Sequence, residues 1–154
     1  MIISWGKPQS ITATPVTGTG ATGGGVLPTP VEGSSELSTE KGDKMEALIE
    51  GGEAEAVKYK ASKYTFVCQV RFGKDRTMPI EGTDGVVPGE WSLALVPDET
   101  GAPGFTIHRC VCSYEDSWTA EDGGIRTYTF ESLKPASGNQ ITWAAAAAQS
   151  QNPQ

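Results

Sequence analysis

Apolar and polar positions alternate with a period of two along much of the chain, and the longest such run is YTFVCQVRF, from Tyr64 to Phe72. Tyr64, Phe66, Cys68, Val70 and Phe72 fall on one face, with Thr65, Val67, Gln69 and Arg71 on the other, which predicts a strand with one side in a core. Upstream, MEALIE sets Met45, Ala47 and Ile49 against Glu46, Leu48 and Glu50, and EGGE then supplies a Gly-Gly hairpin turn into AEAVKYK. A helix over MEALIEGG is disfavoured, because two glycines end it after about two turns, where isolated helices are marginal. SITATPV, Ser10 to Val16, has the β-branched content of a strand, and Pro15 confines it to an edge or a strand end.

The second half continues in the same way. EWSLALVP points Trp91, Leu93 and Leu95 inward, and PIEGTDGVVPGE before it, Pro79 to Glu90, is expected to hold one short helical turn. GFTIHRCVCSY and IRTYTFESL predict a long hairpin across DSWTAEDGG, with Asp122 and Gly123 in the turn and Tyr128 and Phe130 facing the core. The closing AAAAAQSQNPQ has no periodic apolar face, and five alanines are too few to nucleate a helix, so a mobile tail over 144–154 is expected. The pattern as a whole predicts a mainly β protein with a single domain over 1–143.

Composition agrees with that class. At 154 residues there is room for one core, and 19 glycines with 10 prolines favour many short strands joined by turns. MIISWGKPQS lacks a basic segment leading into an apolar run, and no stretch approaches the ~20 apolar residues of a membrane helix. A soluble, non-secreted protein without membrane anchoring is expected. Three cysteines, Cys68, Cys110 and Cys112, are too few for a disulfide framework and fit a reducing compartment.

Candidate chemistry is thin. On a regular strand His108, Cys110 and Cys112 share a face, but such neighbours are about 6.6 to 6.8 Å apart, whereas two sulfur ligands of one zinc lie within about 4.6 Å. Small buried apolar cysteines are the better account. GTGATGGG, Gly18 to Gly25, contains GxGxxG, yet Pro28 and Pro30 exclude the helix that a dinucleotide site needs. Lys and Ser/Thr are missing where a phosphate-binding loop requires them. A flexible surface loop over 18–25 is expected, and no cofactor or metal. His108 is the one histidine, and no local signature marks nucleophilic partners for it, so no catalytic residue is assigned. Acidic pairs such as Glu121-Asp122 sit in turn-like stretches, with Trp118 and Ala120 where a calcium loop needs oxygen ligands.

Charge runs in blocks beneath a net value of -7. Glu32 to Glu55 holds eight acids and two lysines, Ala56 to Lys74 five bases and no acid, and Asp75 to Glu131 eleven acids against three bases. The overall field disfavours non-specific nucleic-acid binding. Opposed blocks favour head-to-tail association of identical copies.

The series LPTPVEGSSELSTEKGDKMEALIEGGEAEAVKYKASKYTFVCQVRFGK, followed by MPIEGTDGVVPGEWSLALVPDETGAPGFTIHRCVCSYEDSWTAEDGGIRTYTFESLKP, resembles the tail tube proteins of tailed phages, of the variety found in Bacteroides-type prophages. Order and spacing carry the resemblance, which runs from about Trp5 to Trp143. It implies a β-sandwich or barrel with one short flanking helix, related in fold to type VI secretion tube proteins. It also implies hexameric rings, stacked head to tail into a hollow tube that conducts DNA without binding it specifically. The protein would sit in a virion tail assembled in the bacterial cytoplasm, with tail sheath or other tail components as further partners, and would not be an enzyme. Glu46, Glu50, Glu53 and Glu55 are then the candidates for lumen or ring contacts, and Lys58, Lys60, Lys63, Arg71 and Lys74 for contacts between subunits or rings. A tube of a phage-derived contractile injection system is an alternative. So is a glycan-binding β-sandwich, for which Trp5, Trp91, Trp118 and Trp143 would supply stacking surfaces.

Overall fold

The computed structural model describes residues 6–74 and 76–145. It contains ten strands and, among the described residues, no helix. They are β1 Pro8–Pro15, β2 Gly25–Val26, β3 Glu36–Glu40, β4 Lys44–Leu48, β5 Ala54–Tyr59, β6 Lys63–Arg71, β7 Trp91–Pro97, β8 Pro103–Thr119, β9 Gly123–Ser132 and β10 Ile141–Ala145. The main sheet has the order β2-β1-β7-β8-β9-β6-β3, with β10 also on β8, while β4 and β5 form a separate pair. Every pairing is antiparallel.

The 17-residue β8 organises the sheet. Ile107 pairs with Leu93 of β7 and with Ile141 of β10, and Cys110 pairs with Trp91 of β7 and with Ser132 of β9. Two partners of one residue must lie on opposite edges, so β9 and β10 follow one another along the edge facing away from β7. β10 enlists Ala144 and Ala145, the first residues of the expected tail; residues 146–154 lie outside the described residues.

The alternating faces pack as their period requires. Phe66, Cys68, Val70, Trp91, Leu93, Ile107, Cys110, Tyr128 and Phe130 are each no more than 1% exposed. Phe66 meets Phe105 edge-on at 5.6 Å between ring centroids. Phe66 lies in register with Phe130, and that residue with Cys112. On a flat sheet Phe105 would sit ~23 Å along β8 from Cys112. The sheet therefore bends until its two ends face each other across the aromatic core. The result is sandwich-like and not closed into a barrel, which corrects the barrel alternative.

The expected helical turn between Pro79 and Glu90 is also corrected. Thr83 and Val86 exchange hydrogen bonds of 3.0 Å around Asp84 and Gly85, whose φ angles are 51° and 86°. Both central residues at positive φ make a two-residue hairpin of the kind that Asp-Gly favours. The Tyr128 and Tyr114 hydroxyls donate to the carbonyls of Ile80 and Gly82, each at 2.9 Å, occupying acceptors that a helix would have used internally.

The glycine-rich stretch is packed at its far end. Gly24 has φ 92°, its N–H donates to the Pro79 carbonyl at 2.9 Å, and a Cβ there would lie 2.7 Å from the Ala13 carbonyl oxygen and 3.2 Å from the Trp91 ring. That end of the loop packs on the end of the β1–β7 pair, whereas Gly18 and Gly20 at its start are exposed.

Candidate assembly surfaces

β3 and β6 pair from Glu36↔Val67 to Glu40↔Lys63, and β4 and β5 continue from Lys44↔Tyr59 to Leu48↔Ala54. The two pairs are one long ribbon, pinched at 41–43 and 60–62. At the pinch the Lys60 N–H donates to the Asp43 carbonyl at 2.8 Å, and Gln140 Nε2 donates to the Ser62 carbonyl at 3.0 Å. Gly42 lies so close to the Lys60 carbonyl that no Cβ fits there. Beyond the pinch the ribbon leaves the body as an arm, turning at Ile49 to Glu53, where Ile49 N–H donates to the Glu53 carbonyl at 2.9 Å.

Every residue of β4 and β5 is exposed. Leu48 is 60% exposed, Tyr59 53% and Val57 46%. The register places Val57 opposite Glu46, and Met45 opposite Lys58, so apolar side chains occupy both faces. A two-stranded ribbon of this kind is marginal alone in water, and among the described residues neither of its edges has a neighbouring strand.

All four candidate acids, Glu46, Glu50, Glu53 and Glu55, stand on this arm, where Glu46 meets Lys44 at 2.6 Å. The basic candidates are divided. Lys58 and Lys60 lie at the arm's base and Lys63 at the near end of β6, whereas Arg71 and Lys74 lie at or beyond its far end, ~26 Å away from Lys63. Arg71 Nη1 donates to the Asp122 carbonyl at 3.1 Å. The contiguous basic block of the sequence therefore does not form one face.

The opposite pole is the β8–β9 hairpin tip. Trp118 pairs with Gly124, which accepts from the Phe72 N–H at 3.0 Å, so Trp118 and Phe72 flank a glycine in one cross-strand row. Trp118 is 73% exposed and Phe72 45%. Two rows inward, the Arg126 guanidinium lies 4.0 Å from the Tyr114 ring centroid and 5.0 Å from that of Phe72, and donates to Asp116 at 2.7 Å and Glu81 at 3.1 Å. Burial works against its charge, but Asp116, Tyr128 and Glu81 outweigh it and hold the guanidinium firmly protonated. Trp91 is core, and Trp143 packs against Phe105 with ring centroids 5.3 Å apart and planes tilted by 58°; Trp5 lies outside the described residues.

His108 and the cysteines do not share a face. Trp91 pairs with Cys110 but Leu93 with Ile107, so β8 carries one extra residue, a bulge at His108 and Arg109. Ile107 points inward before it and Cys110 and Cys112 after it, leaving His108 exposed. Its Nε2 lies 2.6 Å from the Thr142 hydroxyl. Arg109 forms a forked ion pair with Glu90, at 2.8 and 2.7 Å, and donates to the Lys134 carbonyl at 2.8 Å. The hydrogen bond from Arg109 holds the Glu90 carboxyl below its ordinary range. The clamp is thus complete at neutral pH and is lost as pH falls through that lowered value. With Val16 and Pro135 these groups border an open groove of about 620 Å³. Nothing in the local spacing of the sequence marked this grouping, because Glu90, Arg109 and Lys134 come from separate segments.

Burial pushes the Cys68 and Cys110 thiols up to about 12, and Cys112 is shifted the same way. A disulfide-exchange reagent at pH 8 is therefore expected to detect no fast-reacting thiol in the native protein and all three after denaturation. Rapid native labelling would show that the core opens readily. No protein-family model matches this chain, and no curated protein matches it either.

Proposed function

We propose that this protein is a structural subunit of a phage tail tube, built as hexameric rings stacked head to tail around a channel through which DNA passes. The observation that carries it is the β4–β5 arm, which exposes apolar side chains on both faces and, among the described residues, has no neighbouring strand on either edge. A long, unprotected ribbon is an aggregation hazard in a free monomer and an assembly device in an ordered polymer. The resemblance of the strand series to tail tube proteins supports the same reading, and a tube of a contractile injection system would use the same design. DNA conduction calls for no catalytic group, and an acidic lumen would keep DNA from adhering.

Negative-stain imaging of the purified full chain is expected to show rings or tubes of fixed diameter. Strictly monodisperse monomers at every concentration and salt would reject the proposal. A glycan-binding role is the second reading, favoured by the exposed Trp118 and Phe72 row. Glycan binding that disappears in Trp118→Ala would promote it.

A further inference from the structure

We infer that the groove beside the β8 bulge is the seat for the distal end of another copy's arm, an inference that rests on the assembly reading above. The groove presents His108, Arg109 and Lys134 around an apolar floor that includes Val16 and Pro135. Glu90 is its one carboxylate, and the fork with Arg109 already occupies it. Arg109 spends only part of its five N–H donors on Glu90 and the Lys134 carbonyl. Lys134 is exposed. The unspent capacity of the groove is therefore cationic.

The arm end has the complementary character. Residues 45–57 carry Glu46, Glu50, Glu53 and Glu55 and no lysine or arginine, beside the exposed Leu48 and Ile49. A carboxylate of Glu50 or Glu53 answers Lys134 and the free guanidinium N–H, while Leu48 and Ile49 cover Val16 and Pro135. At the alternative seat, the aromatic row of the opposite pole, the cations Arg71 and Arg126 are already engaged, the first with Asp122 and the second with Asp116 and Glu81.

The occupant comes from a second copy. Gln140 links the groove to the arm's root, because it accepts from the His108 N–H at 3.2 Å and donates to the Ser62 carbonyl at 3.0 Å. The ribbon then carries its turn ~20 Å from Asp43, and the arm strands are exposed throughout. Arm and groove are different surfaces, so one copy's arm in the next copy's groove is a head-to-tail contact that repeats until a ring closes.

Zero-length carbodiimide cross-linking of assemblies made from mixed light and heavy protein tests this directly. The expected product joins Lys134 of one copy to Glu50 or Glu53 of another. In parallel, Lys134→Glu is expected to weaken assembly at least tenfold without changing the melting temperature, and adding Glu50→Lys and Glu53→Lys to the same chain is expected to restore it. Cross-links from the arm carboxylates to other lysines with none at Lys134, or a Lys134→Glu variant that assembles like the parent, would overturn the inference while leaving the tube reading in place. A parent chain that never assembles would remove both.

Discussion

Replacing residues 44–59 with Asn-Gly is expected to yield a folded monomer that no longer assembles. The cut falls where the chain already closes on itself, since the Lys60 N–H reaches the Asp43 carbonyl at 2.8 Å. Asn-Gly supplies the positive φ angles that a two-residue hairpin needs. No residue of β4 or β5 is buried, so the core loses nothing and the melting temperature should move by no more than a few degrees. Assembly, in contrast, loses the exposed Leu48, Ile49, Val57 and Tyr59 at every repeat of the contact. Sedimentation velocity checks both halves of the expectation: a single monomer boundary where the parent forms large species. Rings that persist without the arm would mean that the contacts lie elsewhere on the body.

Arg126→Ala is expected to produce the largest loss of stability among single substitutions of charged residues. The side chain is 9% exposed, forked onto Asp116 and held against the Tyr114 ring. Its removal takes away ring packing and strands two carboxylates beside an aromatic core. Those carboxylates are about half exposed and rehydrate, which puts the cost near the low end for a buried pair, about 3 kcal/mol. For a chain of this size that is a fall of roughly 6 to 12 °C in melting temperature. Arg126→Lys keeps the charge but not the planar fork and should fall in between. A melting curve unchanged in Arg126→Ala would show that hydration of the freed groups balances the lost contacts.

Much of the fold was legible because its strands report their environment every second residue. Phe66, Cys68 and Val70, then Trp91, Leu93 and Leu95, and Tyr128 with Phe130, all face the core as their spacing predicts. Phe72, which the same alternation puts on the core face, is 45% exposed because it lies just past the end of β6, and three further features escape that logic for separate physical reasons. A single extra residue at His108 and Arg109 reverses the parity of β8, and nothing in HRCVC announces it. The Asp84-Gly85 pair, within the stretch where a helical turn is expected, forms the hairpin that Asp-Gly favours. Alternation over MEALIE correctly gave a hairpin strand, but a period of two reports an amphipathic ribbon and not the location of its partner. Of the candidate site, the acids Glu46, Glu50, Glu53 and Glu55 were found together on one element, whereas the basic block was split by the length of β6. The groove at Lys134 required three distant segments to meet, which spacing along a sequence does not encode.

The pairing of β1 with β7 sets a timetable for synthesis. Thr12 must find Ala94, and Pro15 must find Trp91, so the first strand leaves the ribosome long before its central neighbour exists. At ~5 to 20 residues per second the wait from Pro15 to Trp91 is roughly 4 to 15 s. During that interval β1 has only the two-residue β2 beside it, and the prolines at its two ends, Pro8 and Pro15, withhold the N–H groups that a stray strand would use. The β4–β5 arm has no such delay, because its two strands are consecutive in the chain. The arm is therefore available to meet a neighbouring nascent chain before the body behind it is complete.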